Sequence, residues 1–162
     1  ATACVACAFT NKYNVYVLDT FYYDPTKYER KLSASEQAER VHDFINQITD
    51  KYGVVPYNQT IDSADGGIYT QYWQMYNTQW SKVHKLGEAE MIDRVQDLAA
   101  QGRLHVLKTP GNEILLDEHK KYQWDPATVN SDNPRVIKEF DHSCDALKYG
   151  VLDNEQLLGL AV

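Results

Sequence analysis

Cysteine is scarce in this 162-residue sequence, with three in all. An odd number gives no closed disulfide framework. Cys4 and Cys7 lie three apart in a strand-like run, where they face opposite sides and make poor joint metal ligands. With Cys144 they are expected to be plain buried thiols. Also missing is any apolar run near the roughly 20 residues that a bilayer crossing needs. The opening ATACVACAF has neither a basic leader nor a small-residue cleavage site behind an apolar stretch, so a soluble, intracellular protein without a signal peptide is expected. No Gly-x-x-x-x-Gly-Lys-Ser/Thr phosphate loop occurs, which excludes a P-loop ATPase within this sequence. Basic charge is short as well: 16 Lys and Arg against 23 Asp and Glu leave a formal net charge of -7. Proteins that hold DNA unaided usually present a basic field. Either the partner is not nucleic acid, or the carboxylates gather at a metal site while something else grips the DNA.

What is present reads as one α/β domain over residues 1–162, without repeats, low-complexity segments or a linker long enough to split it. Two β-rich runs, Ala3 to Phe9 and Tyr13 to Tyr22, flank the turn former Thr10-Asn11-Lys12 and predict an antiparallel hairpin. Asp24-Pro25 breaks the second run. Ser33-Ala34-Ser35-Glu36 then offers a capping box, and Ala38, Val41, Ile45 and Ile48 repeat at helical spacing until Gly53. A short strand at Gln59 to Asp62 and a turn lead into an aromatic segment, Ile68 to Tyr76, read as helix. Its Tyr69, Tyr72, Trp73 and Tyr76 suit core packing better than a base-stacking platform. Lys82 to Leu86 could add a strand. A helix beginning at Gly87-Glu88 carries Met91, Ile92, Val95, Leu98 and Ala99 on one face and ends at Gly102, and Arg103 to Lys108 is a further strand. Glu113 to Trp124 reads as helix, Asp125 to Asn133 as polar loop, and Pro134 to Asp153 as a last helix. Alternating helices and strands after a hairpin imply a mixed sheet flanked by helices.

The strongest local signal for chemistry is Phe140 to Tyr149. On a helix, Phe140, Cys144, Leu147 and Val151 form an apolar stripe, while His142, Asp145 and Tyr149 share the opposite side. His142 and Asp145 can then approach one metal ion together, although an ordinary solvated face has the same spacing. Asp62 ends a predicted strand, the edge of an open α/β sheet where ligands usually bind. Two carboxylates meeting there would suit hard divalent cations.

From the hairpin to the C-terminus the sequence resembles the nuclease domain of tailed-phage large terminases, in the ribonuclease H-like superfamily. The resemblance is carried by QTIDSADGGIYTQYWQMY, WSKVHKLGEAEMIDRVQDLAAQGRLHVLKT, NEILLDEHKKYQWDP and EFDHSCDALKYGVLD, with His-x-x-Asp-Ala-Leu-Lys-Tyr the most specific part. It implies a ribonuclease H-like fold that cuts concatemeric double-stranded viral DNA with two Mg2+ or Mn2+ ions during genome packaging in the host cytoplasm. Asp62 and Asp145 would bind metal, His142 would be a ligand or proton carrier, Asp65 would stand behind the ligands, and Lys85 would contact DNA phosphate. The implied partners are double-stranded DNA, an ATPase domain upstream in the same polypeptide, the portal and the small terminase subunit.

One departure matters. The family's first strand carries an Asp followed by glycine, whereas no acidic residue precedes Asp19 here. In this register the first carboxylate falls about eight residues upstream of Ala1, give or take a few. The ribonuclease H-like sheet is therefore expected without its first strand, and the chain alone is expected to cut slowly or not at all. Two other readings stand beside this one: a ribonuclease H-like resolvase or transposase core, and a catalytically silent module that docks on a portal or terminase subunit.

Overall fold

The structure is a computed structural model that describes residues 1–159; the last three residues of the expected domain lie outside the described residues. The opening hairpin forms as its composition demands. β1 (Thr2–Phe9) and β2 (Val15–Tyr23) pair antiparallel from Thr2 opposite Tyr23 to Phe9 opposite Val15. The register slips between Ala6 and Cys7, where Leu18 of β2 has no partner, and such a bulge sharpens the local twist. On its other side β2 pairs in parallel with β5 (Leu104–Val106), giving a mixed sheet of order β1-β2-β5.

Helices cover both faces of this sheet. Asp24 does more than break β2: its carboxylate accepts from the Thr26 amide at 2.9 Å and opens the single turn of α1 (Pro25–Tyr28). α2 (Ala34–Tyr52) starts at the expected capping box, with Ser33 Oγ accepting from the Glu36 amide at 3.2 Å, and stops at Gly53 in the left-handed region. Its Ala38 and Val41 pack with Tyr72 of α3 (Gly67–Tyr76) against Cys4 and Phe21 on one sheet face. On the other face Val15 and Val17 meet Leu98 of α4 (Glu88–Ala100), Leu115 of α5 (Pro110–Lys121), and Leu147 and Val151 of α6 (His142–Asp153). Cys7 belongs to this second core, so Cys4 and Cys7 do face opposite ways, and burial pushes both thiols up to about 12.

Several boundaries differ from those the sequence suggests. The last helix begins at His142 rather than Pro134, because Lys138 to Phe140 bend away and Phe140 adopts φ 55. Phe140 is consequently exposed and does not extend the buried stripe of Cys144, Leu147 and Val151. The residues ahead of it are held instead by a bridge between Trp124 and Val136 and by Thr128, whose Oγ1 accepts from the Arg135 amide at 3.0 Å. α5 starts three residues early because Thr109 caps it, its Oγ1 accepting from the Asn112 amide at 3.0 Å, and it stops at Lys121, short of Trp124. Of the aromatic quartet on α3 only Tyr72 is core; Trp73 is exposed.

β3 (Thr60–Ile61) and β4 (Ser81–Lys82) are shorter than expected and pair in parallel as a separate two-stranded sheet. Among the described residues the outer edges of β1 and β3 have no strand partner, yet both strands line one cavity of about 880 Å³, roofed by α2 and floored by α6. Native interiors are close-packed, and unpaired strand edges carry free backbone donors and acceptors. Every residue of β1 is only partly buried, whereas β2 buries Val15, Val17, Thr20 and Tyr23. β1 is thus the less buried strand of the hairpin. Among the described residues no helix is long and apolar enough to cross a membrane.

Candidate functional site

The mouth of this slot is where the sheet and α6 bring charge together. β3 is fixed along α6 at one end by Thr60 Oγ1, which donates to Asp153 Oδ2 at 2.6 Å, helped by Asn58 at 2.9 Å. Just after β3, Asp62 pairs with Lys85, which lies over the ring of Tyr149 on α6, and Asp145 lies on the same helix about one turn earlier. The opposite end of α6 is capped from another element. Glu118 of α5 is buried, and its Oε1 accepts from the Ser143 amide at 2.8 Å and from the Ser143 hydroxyl, while its Oε2 accepts from Tyr22 at 3.0 Å. A carboxylate at a helix N-terminus also meets the favourable end of the dipole.

Asp62, Asp65, His142, Asp145 and Tyr149 all line the slot. Asp62 Oδ1 accepts from the Ala64 amide at 2.9 Å and lies 2.6 Å from Lys85 Nζ. Partial burial raises its pKa, but the amide and Lys85 outweigh this and hold it below the ordinary value. Lys85, expected at a phosphate, is thus paired with Asp62 here and lies 5.2 Å from the centre of the Tyr149 ring. Asp65 serves the backbone, its Oδ1 accepting from Ile68 at 3.0 Å in the first turn of α3. His142 is exposed at the rim, edge-on to Tyr22.

Asp145 has the most unusual surroundings. Burial raises its pKa above the usual carboxylate value despite Lys148 and Lys138 nearby. Lys148 Nζ lies 2.9 Å from Asp145 Oδ1 but off the hydrogen-bonding direction, so that buried oxygen has a charge neighbour and no hydrogen bond. The only other buried side-chain polar atom without a hydrogen bond among the described residues is Trp80 Nε1, and Trp80 also lines the slot.

Sequence spacing missed the residues that hold Asp145. Lys148 is almost fully buried, contacting Glu88 Oε1 and donating to Tyr122 Oη at 2.8 Å, and Tyr122 in turn donates to Glu88 at 3.1 Å. Burial raises the Glu88 pKa, but Lys148 more than offsets it and the carboxyl lies below its usual value. Lys138, from the loop before α6, lies 3.4 Å from Asp141 Oδ2 and 3.6 Å from Asp145 Oδ2. The i, i+3 step from Asp145 to Lys148 was visible in the sequence; Glu88 and Tyr122 come from elements far away in the chain and gave no signal. Among the described residues no three His, Cys, Asp or Glu side chains are placed to hold one metal ion.

The family described as "Terminase RNAseH like domain" matches residues 1–153. No curated protein sequence matches significantly. Among solved structures, the large terminase of a thermophilic bacteriophage superposes with TM-score 0.72 at 17% identity, over 95% of this chain and 40% of that one. The same phage's large terminase in complex with ATP-gamma-S gives TM-score 0.70 at 16% identity, over 93% of this chain and 39% of that one. The P22 large terminase nuclease domain gives TM-score 0.60 at 17% identity, over 94% of this chain and 74% of that one. The chain therefore spans about 40% of the length of the thermophilic phage's protein.

Proposed function

Because this chain belongs to the terminase RNase H-like domain family, we propose that it is the nuclease domain of a phage large terminase, cutting concatemeric double-stranded DNA with Mg2+ or Mn2+ during packaging. The mixed sheet between helical layers is the ribonuclease H-like fold. The observation that carries the reading is that Asp62 and Asp145 line one slot, with Asp145 Oδ2 facing only a distant ammonium, Lys138 at 3.6 Å.

The donor set fits a metal in part. Mg2+ is commonly held by one or two carboxylates together with substrate phosphates and water, so Asp62 and Asp145 suit one ion. A second ion needs a further carboxylate. A strand filling the slot antiparallel to β1 and parallel to β3 would satisfy both bare edges and bring that carboxylate from upstream, as the resemblance implies. When bound, the cations supply the Lewis acidity that activates water and stabilises the leaving 3′ oxygen. The protein's own groups would do the rest: Asp62 and Asp145 would hold the ions, His142 would carry protons at the exposed rim, and Asp65 fixes the turn behind Asp62 through the Ile68 amide. Lys85 meets DNA phosphate once released from Asp62.

The acidic chain binds DNA weakly by itself, and an ATPase domain upstream supplies the grip. The thermophilic phage's large terminase, solved with ATP-gamma-S, supports that arrangement for this fold. Portal and small terminase subunit are the remaining partners, in the host cytoplasm. Weak intrinsic affinity suits a nuclease that must not cut while DNA is being moved.

The lack of a third ligand among the described residues favours a second reading, a catalytically silent docking module. The two readings part in a thermal melt. Mn2+ that binds only the folded state raises the melting temperature, and Asp62→Asn or Asp145→Asn should remove the rise. A wild-type melt indifferent to millimolar Mn2+ and Mg2+ would leave the docking module standing.

A further inference from the structure

The two oxygens of Asp145 face two ammonium groups of different character. Lys148, at 4% side-chain exposure, is anchored: Glu88 and Tyr122 both hold its Nζ, and the rings of Tyr122 and Tyr149 lie 5.5 and 5.9 Å away. Drawing Lys148 away would leave the Glu88 carboxylate and the Tyr122 hydroxyl short of a partner in a buried setting, which is strongly unfavourable. Lys138 is the opposite case. Its side chain is 63% exposed, and its Nζ lies 3.4 and 3.6 Å from Asp141 and Asp145, beyond normal hydrogen-bond length. Ion pairs of this kind are worth little and are readily exchanged.

Building on the metal-site reading, we propose that Lys138 is an exchangeable counter-ion of Asp145, which a divalent cation must displace to reach Oδ2. Lys148 holds Oδ1 at 2.9 Å on the buried side, so Oδ2 is the oxygen open to exchange. Lys138 sits on the irregular segment before α6, where no helical hydrogen bonds hold it, and can leave without disturbing α6. The site is thus neutralised from within until cation activity is high enough to win. Lys138 is a positioning residue in this scheme and sets the cation concentration at which the site loads.

Mn2+ titration of the 162-residue chain, followed by electron paramagnetic resonance of free Mn2+, tests the exchange. Removing a weakly held competitor should tighten binding about threefold in Lys138→Met, leave Lys138→Arg at the wild-type value, and leave Lys120→Met unchanged, because Lys120 pairs only with Asp117 on an exposed helix face. Unchanged or weaker Mn2+ binding in Lys138→Met overturns the exchange while the metal site stands. No Mn2+ binding by the wild-type chain overturns both.

Discussion

Replacing Lys148 by Met probes the cluster that holds Asp145 more sharply than any change at the rim. The Lys148 side chain is 4% exposed and Glu88 is 16% exposed, so solvent screens their pairing little. Met fills most of the same volume and removes only the charge. Glu88 and Asp145 then face each other without a cation between them, and Tyr122 loses a donor. Breaking one side of such a buried pair costs about 3–5 kcal/mol. For a chain of this size that corresponds to a melting temperature lower by roughly 6–20 °C. Urea unfolding followed by far-ultraviolet circular dichroism gives the free energy, and Glu88→Leu in the same background closes a double-mutant cycle. The double variant should lose less than the sum of the singles by at least about 1 kcal/mol, since the second change removes the stranded carboxylate. A loss below about 1 kcal/mol for Lys148→Met, or strict additivity in the cycle, would refute the claim that Lys148 is a fixed ion partner.

Glu88→Gln should show a pH signature. The Glu88 carboxyl lies below its usual 4.5 in the fold, so the unfolded chain takes up its proton first as pH falls. The wild-type advantage over Glu88→Gln is therefore full above 4.5 and shrinks as pH drops through the lower folded value; a constant gap in acid melts would contradict this. Glu118→Ala removes the acceptor of the Ser143 amide and of Tyr22, and should cost about 2–4 kcal/mol while weakening Mn2+ binding through a displaced α6. Stability lost without any change in Mn2+ binding would show that Glu118 does not position Asp145. Gly111→Ala should be the most damaging single methyl in the chain, because a Cβ there lands on the Thr20 carbonyl oxygen and on Asp19. Soluble protein with an unshifted melt would show that α5 and β2 are not so closely apposed.

The hairpin, the capping box at Ser33 and the stop at Gly53 were legible in the sequence because each is set by residues close together in the chain. Asp62 was legible as a strand-end carboxylate and Asp145 as a helix-face one, and in the fold both line the slot. The start of α6 was not legible: the apolar residues Val136, Ile137 and Phe140 mimic a helical stripe. In the fold Val136 bridges to Trp124, and Phe140 turns outward at a positive φ. The burial of Lys148 was not legible, since Glu88 and Tyr122, some 60 and 26 residues away, make it favourable. Asp19, the first acidic residue in the chain, is absorbed structurally, accepting from Thr109 at 2.7 Å and from the Thr20 amide at 2.8 Å.

Under the proposed function, Asp62 and Asp145 supply part of a nuclease site, and a further carboxylate enters on a strand between β1 and β3. Nicking of supercoiled plasmid in the presence of Mn2+ tests it directly, comparing the 162-residue chain with the same chain extended at Ala1 by an apolar strand ending in Asp-Gly. Little or no nicking by the shorter chain and Mn2+-dependent nicking by the extended one are expected. That nicking should be lost in the extended Asp62→Asn and Asp145→Asn variants. Full activity of the 162-residue chain, or nicking that survives either substitution, would contradict it.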